Sequence, residues 1–138
     1  MKIIADTSVW IEFFKNNGSI FPILRDRLEN QEITAVECVF GELLQGVKNN
    51  KEQKIILSYW ESLPKLDETG IWIKAGTFSS ENKMSDKGVG LIDCVIIVLA
   101  KENNLKIWTL DKKLSDAMDN SLKYKSLIML SGQYYVFA

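Results

Sequence analysis

Ile3-Ile4-Ala5-Asp6-Thr7-Ser8-Val9-Trp10 carries two periodicities in eight residues. The apolar run at its start predicts a short buried strand from Lys2 to Asp6. Val9, Trp10, Phe13 and Phe14 then repeat at helical spacing. Thr7 or Ser8 supplies the cap of that helix, and Gly18 marks its end. The same handover from strand to helix through an acid recurs near the other end of the chain. Lys106 to Leu110 reads as a strand, Asp111 ends it, and a short helix follows around Leu114 to Met118.

The segments between them alternate in the same way. Ser19 starts a helix with Pro22 in its first turn, running to about Glu29. Glu32 to Thr34 reads as a second short strand. Ala35 to Lys48 is the clearest amphipathic helix: Val36, Val39, Phe40, Leu43, Leu44 and Val47 form one stripe, with Glu42 at its edge. Lys51 to Leu63 reads as a helix stopped by Pro64, with Ile55, Ile56, Tyr59, Trp60 and Leu63 inward. Glu68 to Met84 reads as a helix with Ile71, Trp72, Ala75 and Phe78 on one face. Leu91 to Ala100 is apolar all round and belongs in the middle of the fold, with Asp93 in its first turn. Leu127 to Leu130 and Tyr134 to Phe137 read as closing strands. Strands alternating with helices imply an α/β architecture with a mainly parallel sheet, in one domain over residues 1–138.

Composition narrows the chemistry. The chain of 138 residues has no histidine, two arginines and a net charge of −1. The missing histidine removes histidine-based nucleophile systems and histidine-ligated zinc. The near-neutral charge leaves nucleic-acid binding to local lysines: Lys48, Lys51 and Lys54, Lys112 and Lys113, Lys123 and Lys125. Each group also reads as an ordinary solvated face. Cys38 and Cys94 have neither metal-ligand spacing nor a disulfide framework and read as core residues, in keeping with a cytoplasmic location. No targeting segment and no membrane-spanning run is visible.

Four acids differ from the rest in their surroundings. Asp6 follows Ile3-Ile4-Ala5, Glu42 sits between Val39-Phe40 and Leu43-Leu44, Asp93 opens Cys94 to Ala100, and Asp111 follows Ile107-Trp108-Thr109-Leu110. A carboxylate carried toward a core needs hydrogen bonds, a cation or a proton. With so few arginines, a bound hard cation such as Mg²⁺ or Mn²⁺ would serve all four. Such an ion activates water and clamps phosphate oxygens. Individually, Asp6 and Asp111 also read as helix caps, Asp93 as a first-turn acid and Glu42 as a solvated flank residue. Thr7, Ser8 and Thr109 read as caps or strand residues, and Trp10, Trp60, Trp72 and Trp108 as core.

Together these stretches resemble the PIN-domain family and, within it, the small VapC-type toxins. Ile3 to Glu12 is similar to that family's first motif. Gly41 to Val47 is similar to the second, Gly90 to Ile96 to the third, and Trp108 to Leu114 to the fourth. The resemblance implies a three-layer α/β/α PIN-like fold and Mg²⁺- or Mn²⁺-dependent endoribonuclease activity on RNA. It implies an acidic pocket of Asp6, Glu42, Asp93 and Asp111. Asp6 and Asp93 would be the principal metal ligands, Glu42 and Asp111 would complete the site, and Thr7 and Thr109 would support it. It further implies a homodimer and a cognate antitoxin that fills a groove near the acids. The chain departs from the pattern at Cys94-Val95-Ile96-Ile97, usually richer in alanine, at Leu114, often Phe, and in its shortage of arginine.

Two other readings compete. An aspartyl-phosphate enzyme would also place Asp6 at a strand end, but Ser8 stands where the haloacid-dehalogenase pattern has its second Asp, and Asp6-Thr7 lacks a receiver domain's acid pair. A non-catalytic RNA- or protein-binding module on the same fold would have no need to keep four like charges together.

Overall fold

In the computed structural model, backbone is described for residues 2–130 and 133–137 and side chains for residues 2–125. Met1, Ser131, Gly132 and Ala138 lie outside the described residues. The first motif folds as expected: β1 (Ile3–Ala5) leads directly into α1 (Thr7–Phe14). All three residues of β1 are buried, without the alternation of a sheet that faces water on one side. The strand's parallel partner is β2 (Lys106–Trp108), with Ile4 opposite Ile107.

Single parallel bridges extend this pair on both sides. Ile33 pairs with Ile3, Lys65 with Ala35, and Lys123 with Ile107. Backbone bonds from Ile3 N–H to Glu32 (2.8 Å), Ala35 N–H to Pro64 (2.9 Å) and Tyr124 N–H to Ile107 (2.9 Å) hold the five lines together. Numbered along the chain, the lines run 3-2-1-4-5 across the sheet. The order therefore reverses between β1 and β2. In open parallel sheets the crevice beyond the carboxyl ends of the strands at that reversal is where ligands bind.

Helices cover the sheet in two groups. Helix α1 packs against α2 (Phe21–Glu29) and α3 (Glu37–Gln45), and α3 against α4 (Asn50–Ser62). On the other side α5 (Ile71–Glu81) packs along α6 (Leu91–Asn103), which also meets β2. The result is the three-layer α/β/α arrangement expected from the sequence. Cys94 to Ala100 of α6 are all buried, as an all-round apolar helix requires. A short α7 (Lys112–Ala117) follows β2, and β3 (Ser126–Leu130) pairs antiparallel with β4 (Gln133–Phe137).

One aromatic cluster fixes α1 to its neighbours. The Trp10 ring lies 5.3 Å from Phe40 of α3, 5.6 Å from Tyr59 of α4 and 5.7 Å from Phe13. Each such pair adds about 0.5–1.5 kcal/mol beyond its buried area. Helix α1 carries Thr7 and follows Asp6, while α3 carries Glu42, so this cluster sets their spacing.

Several expectations need correction. The cap of α1 is Asp6, not Thr7 or Ser8. The helix ends at Phe14 with Lys15 as its C-cap, and Asn16, with a left-handed φ of 57°, turns the chain before Gly18 is reached. Helix α3 is shorter than Ala35 to Lys48, because Ala35 is committed to the sheet and Gly46 is its C-cap. The stretch from Glu68 to Met84 is helical only over α5. Trp72 and Ile55, both expected inward, are 48% and 41% exposed, and Trp60 is only partly buried. Trp10 and Trp108 are core, and so is Cys94, whereas Cys38 is half-buried. Among the described residues, no helix is long and apolar enough to cross a membrane.

A candidate acidic site at the sheet reversal

Asp6 is the deepest of the four acids, 5% exposed at the end of β1. Its carboxylate is almost fully engaged. One oxygen accepts from the Ser8 hydroxyl and from the Val9 N–H (3.2 Å), and the other accepts from the Thr109 hydroxyl. A carboxylate offers about four lone-pair positions, so about one is left for a further partner. Burial raises the Asp6 pKa, the Ser8, Thr109 and Val9 bonds oppose that, and nearby Asp111 adds to it.

Thr109 and Ser8 tie the two strand ends together. Thr109 donates to Asp6 and accepts from the Asp111 N–H at 3.0 Å. Ser8 donates to Asp6 and accepts from the Leu110 N–H at 3.0 Å. Asp111, exposed, caps α7 by accepting from the N–H groups of Lys113 (2.9 Å) and Leu114 (3.5 Å). Glu42 is exposed on α3 and accepts from the Thr7 hydroxyl at 2.7 Å, which links α3 to the first turn of α1. Asp93 lies half-buried in the first turn of α6. Its pKa is pushed up to about 6, first by burial and then by the charges of Asp6, Asp111 and Glu42, against a backbone N–H bond from Gly90.

The charges of Asp6, Asp111 and Glu42 thus reach Asp93, and that of Asp111 also reaches Asp6. Each cap reading holds as well: Asp6 and Asp111 do cap helices, and the same bonds aim their remaining oxygens. Among the described residues, no three acids, cysteines or histidines stand close enough to form a ready-made metal cage. An all-oxygen, histidine-free set of carboxylates whose charges bear on one another suits a hard cation that keeps part of its water shell, as Mg²⁺ does. Thr7 is hydrogen-bonded to Glu42 and Thr109 to Asp6. Ser8 was missing from the expected set. Its signal was its position two residues after Asp6, where a hydroxyl can fold back onto the carboxylate.

Beside Glu42 an open groove of about 400 Å³ runs between α1, α3 and α4. Ile11, Phe14, Leu43 and Val47 are among its apolar walls, and Lys15 and Lys48 stand at its rim.

The family profile of the PIN domain matches residues 3–119, spanning all four acids. The chain belongs to the PIN-domain family. The chain is similar to the VapC ribonuclease Mb1587 of Mycobacterium bovis (strain ATCC BAA-935 / AF2122/97), 27% identical over 111 residues, covering 76% of this chain and 83% of the relative. It is similar to the same extent to Ribonuclease VapC11 of Mycobacterium tuberculosis, in strains CDC 1551 / Oshkosh and ATCC 25618 / H37Rv. As a PIN domain, the chain carries Asp6 and Asp111 just beyond the paired strands β1 and β2, where the sheet order reverses.

Proposed function

We propose that this protein is a metal-dependent endoribonuclease that hydrolyses RNA phosphodiester bonds and acts as the toxin of a toxin–antitoxin pair. The observation that supports the reading is that the charges of Asp6, Asp111 and Glu42 bear on Asp93 within a PIN domain similar to VapC ribonucleases.

In this reading Asp6 and Asp93 are the principal ligands of Mg²⁺ or Mn²⁺, and Glu42 and Asp111 complete the site directly or through water. The ion supplies Lewis acidity, a water of lowered pKa and charge neutralisation at the phosphate. The chain's own residues set the geometry. Ser8, Thr109 and the Val9 N–H hold Asp6 in one orientation, and Thr7 holds Glu42 toward the crevice. Asp111 is locked by its cap bonds, so one oxygen is turned back to α7 while the other is left for the crevice or a water. Carboxylates held in this way cost little reorganisation when a substrate arrives, which is the advantage of a preorganised site.

The rest of the reading concerns partners. A cognate antitoxin segment would fill the apolar groove beside Glu42 and so block approach to the acids. A homodimer would cover exposed apolar surface such as Trp72 and Ile73 on α5. One domain over residues 1–138 and a cytoplasmic location complete it, the latter in keeping with two free cysteines.

The test is incubation of the purified chain with total cellular RNA in Mn²⁺ or EDTA, beside Asp93→Asn. Discrete fragments that need both the metal and Asp93 support the proposal. Intact RNA with a folded chain free of antitoxin would turn it toward a non-catalytic binding module.

A further inference from the structure

The acid set leaves a difficulty for its substrate. Four carboxylates repel a polyanion, and a net charge of −1 offers no general attraction. Phosphate must be held by a cation placed at the crevice itself.

Lys113 has that placement. Its backbone N–H donates to the Asp111 oxygen at 2.9 Å, which fixes it in the first turn of α7. Its side chain then crosses to the segment that leads into α6. A Cβ built on Gly88 would lie 3.2 Å from Lys113 Cδ, 3.7 Å from Cε and 3.5 Å from Nζ. Gly88 has a left-handed φ of 75° and stands two residues before Gly90, the N-cap of the helix that presents Asp93. The ammonium is therefore held between the two segments that deliver Asp111 and Asp93. Among the described residues no carboxylate lies within 4.0 Å of it, whereas neighbouring Lys112 pairs with Asp116 at 3.6 Å.

We propose that Lys113 is a substrate-positioning residue, gripping an RNA phosphate next to the one cut at the four acids. This rests on the ribonuclease reading and adds to it the residue that registers the strand. A lysine suits the task as a compact point charge that tolerates any sequence. Gly88 contributes by leaving the space along which the lysine stem runs.

Two variants test it: Lys113→Met, which keeps most of the stem, and Lys113→Arg, which keeps the charge. Cleavage of a short single-stranded oligoribonucleotide is followed in Mn²⁺, and its binding by fluorescence anisotropy in EDTA at several salt concentrations. Loss of one charge-assisted contact should raise KM and Kd about tenfold in Lys113→Met, with kcat within about twofold. The slope of log affinity against log salt should fall by about 0.7, the value of one phosphate contact on a single strand. Lys113→Arg should restore most of both. An unchanged affinity and slope in Lys113→Met would overturn the proposal, as would Lys113→Arg binding as weakly as Lys113→Met. The anisotropy arm decides the matter even if wild-type protein fails to cleave, an outcome that would count against the ribonuclease reading alone.

Discussion

Asp93→Asn should make the metal-free protein more stable at neutral pH while it stops cleavage. Burial and three like charges hold the Asp93 pKa at about 6, against 3.8 for an ordinary aspartate. The folded state therefore binds a proton there more tightly than the unfolded chain does. Its contribution is fully present below pH 3.8 and is lost as pH rises through about 6. About two pKa units correspond to roughly 3 kcal/mol, which solvent screening at a half-buried position reduces to about 1–2 kcal/mol. Asparagine removes the charge and keeps an oxygen for the Gly90 N–H. In EDTA at pH 7.5 the variant should melt about 3–7 °C above wild type. At pH 4 the difference should nearly vanish, because the wild-type carboxyl is then protonated in the folded protein. Differencing the two proteins at each pH cancels the titration of the other acids. Thermal melting by circular dichroism is sufficient. A variant less stable than wild type at pH 7.5, or one equally stabilised at both pH values, would refute the electrostatic account. Added Mn²⁺ should then raise wild type more than the variant.

Other sites give independent tests. Asp6→Asn places an amide where three donors converge, so it should lose cleavage and about 1–2 kcal/mol in urea unfolding, with the m-value unchanged. Thr7→Val frees Glu42 from α1 and should lower kcat/KM about tenfold while moving stability by less than about 1 kcal/mol. Trp10→Ala opens the aromatic cluster between α1, α3 and α4 and should cost about 3–5 kcal/mol in the same unfolding assay. Gly88→Ala meets both a left-handed backbone and the Lys113 stem. It should cost about 1 kcal/mol and weaken oligoribonucleotide binding in anisotropy.

The acids were readable from sequence because each breaks or borders an apolar run: Asp6 after Ile3-Ile4-Ala5, Asp93 before Cys94. A charge in such company must be provided for, and its chain position at strand ends or in a first turn already points to one edge of a parallel sheet. What sequence withheld was set by tertiary contact. Glu42 comes toward the crevice because Trp10 packs on Phe40, a contact no periodicity encodes. Helix ends moved because Ala35 was drawn into the sheet and because Asn16 accepted a left-handed turn that glycine was expected to make. Trp72 was read as core from its spacing with Ile71, Ala75 and Phe78, yet that spacing did not decide which side of α5 faces α6. The role of Ser8 was hidden because a hydroxyl after a strand predicts a cap equally well, and only the approach of Leu110 gives it a second bond.

The hydrogen bond between Thr109 and Asp6 spans 103 positions of the chain. A ribosome adding about 5–20 residues per second makes the first acid roughly 5–20 s before it makes the threonine that aims it. Loop closure of that length also comes late in folding, after the local helices have formed. A nascent chain thus carries every early motif for most of its synthesis without an assembled centre. On the proposed reading, cleavage needs β2 docked beside β1, and a fragment truncated anywhere before that strand should lack it.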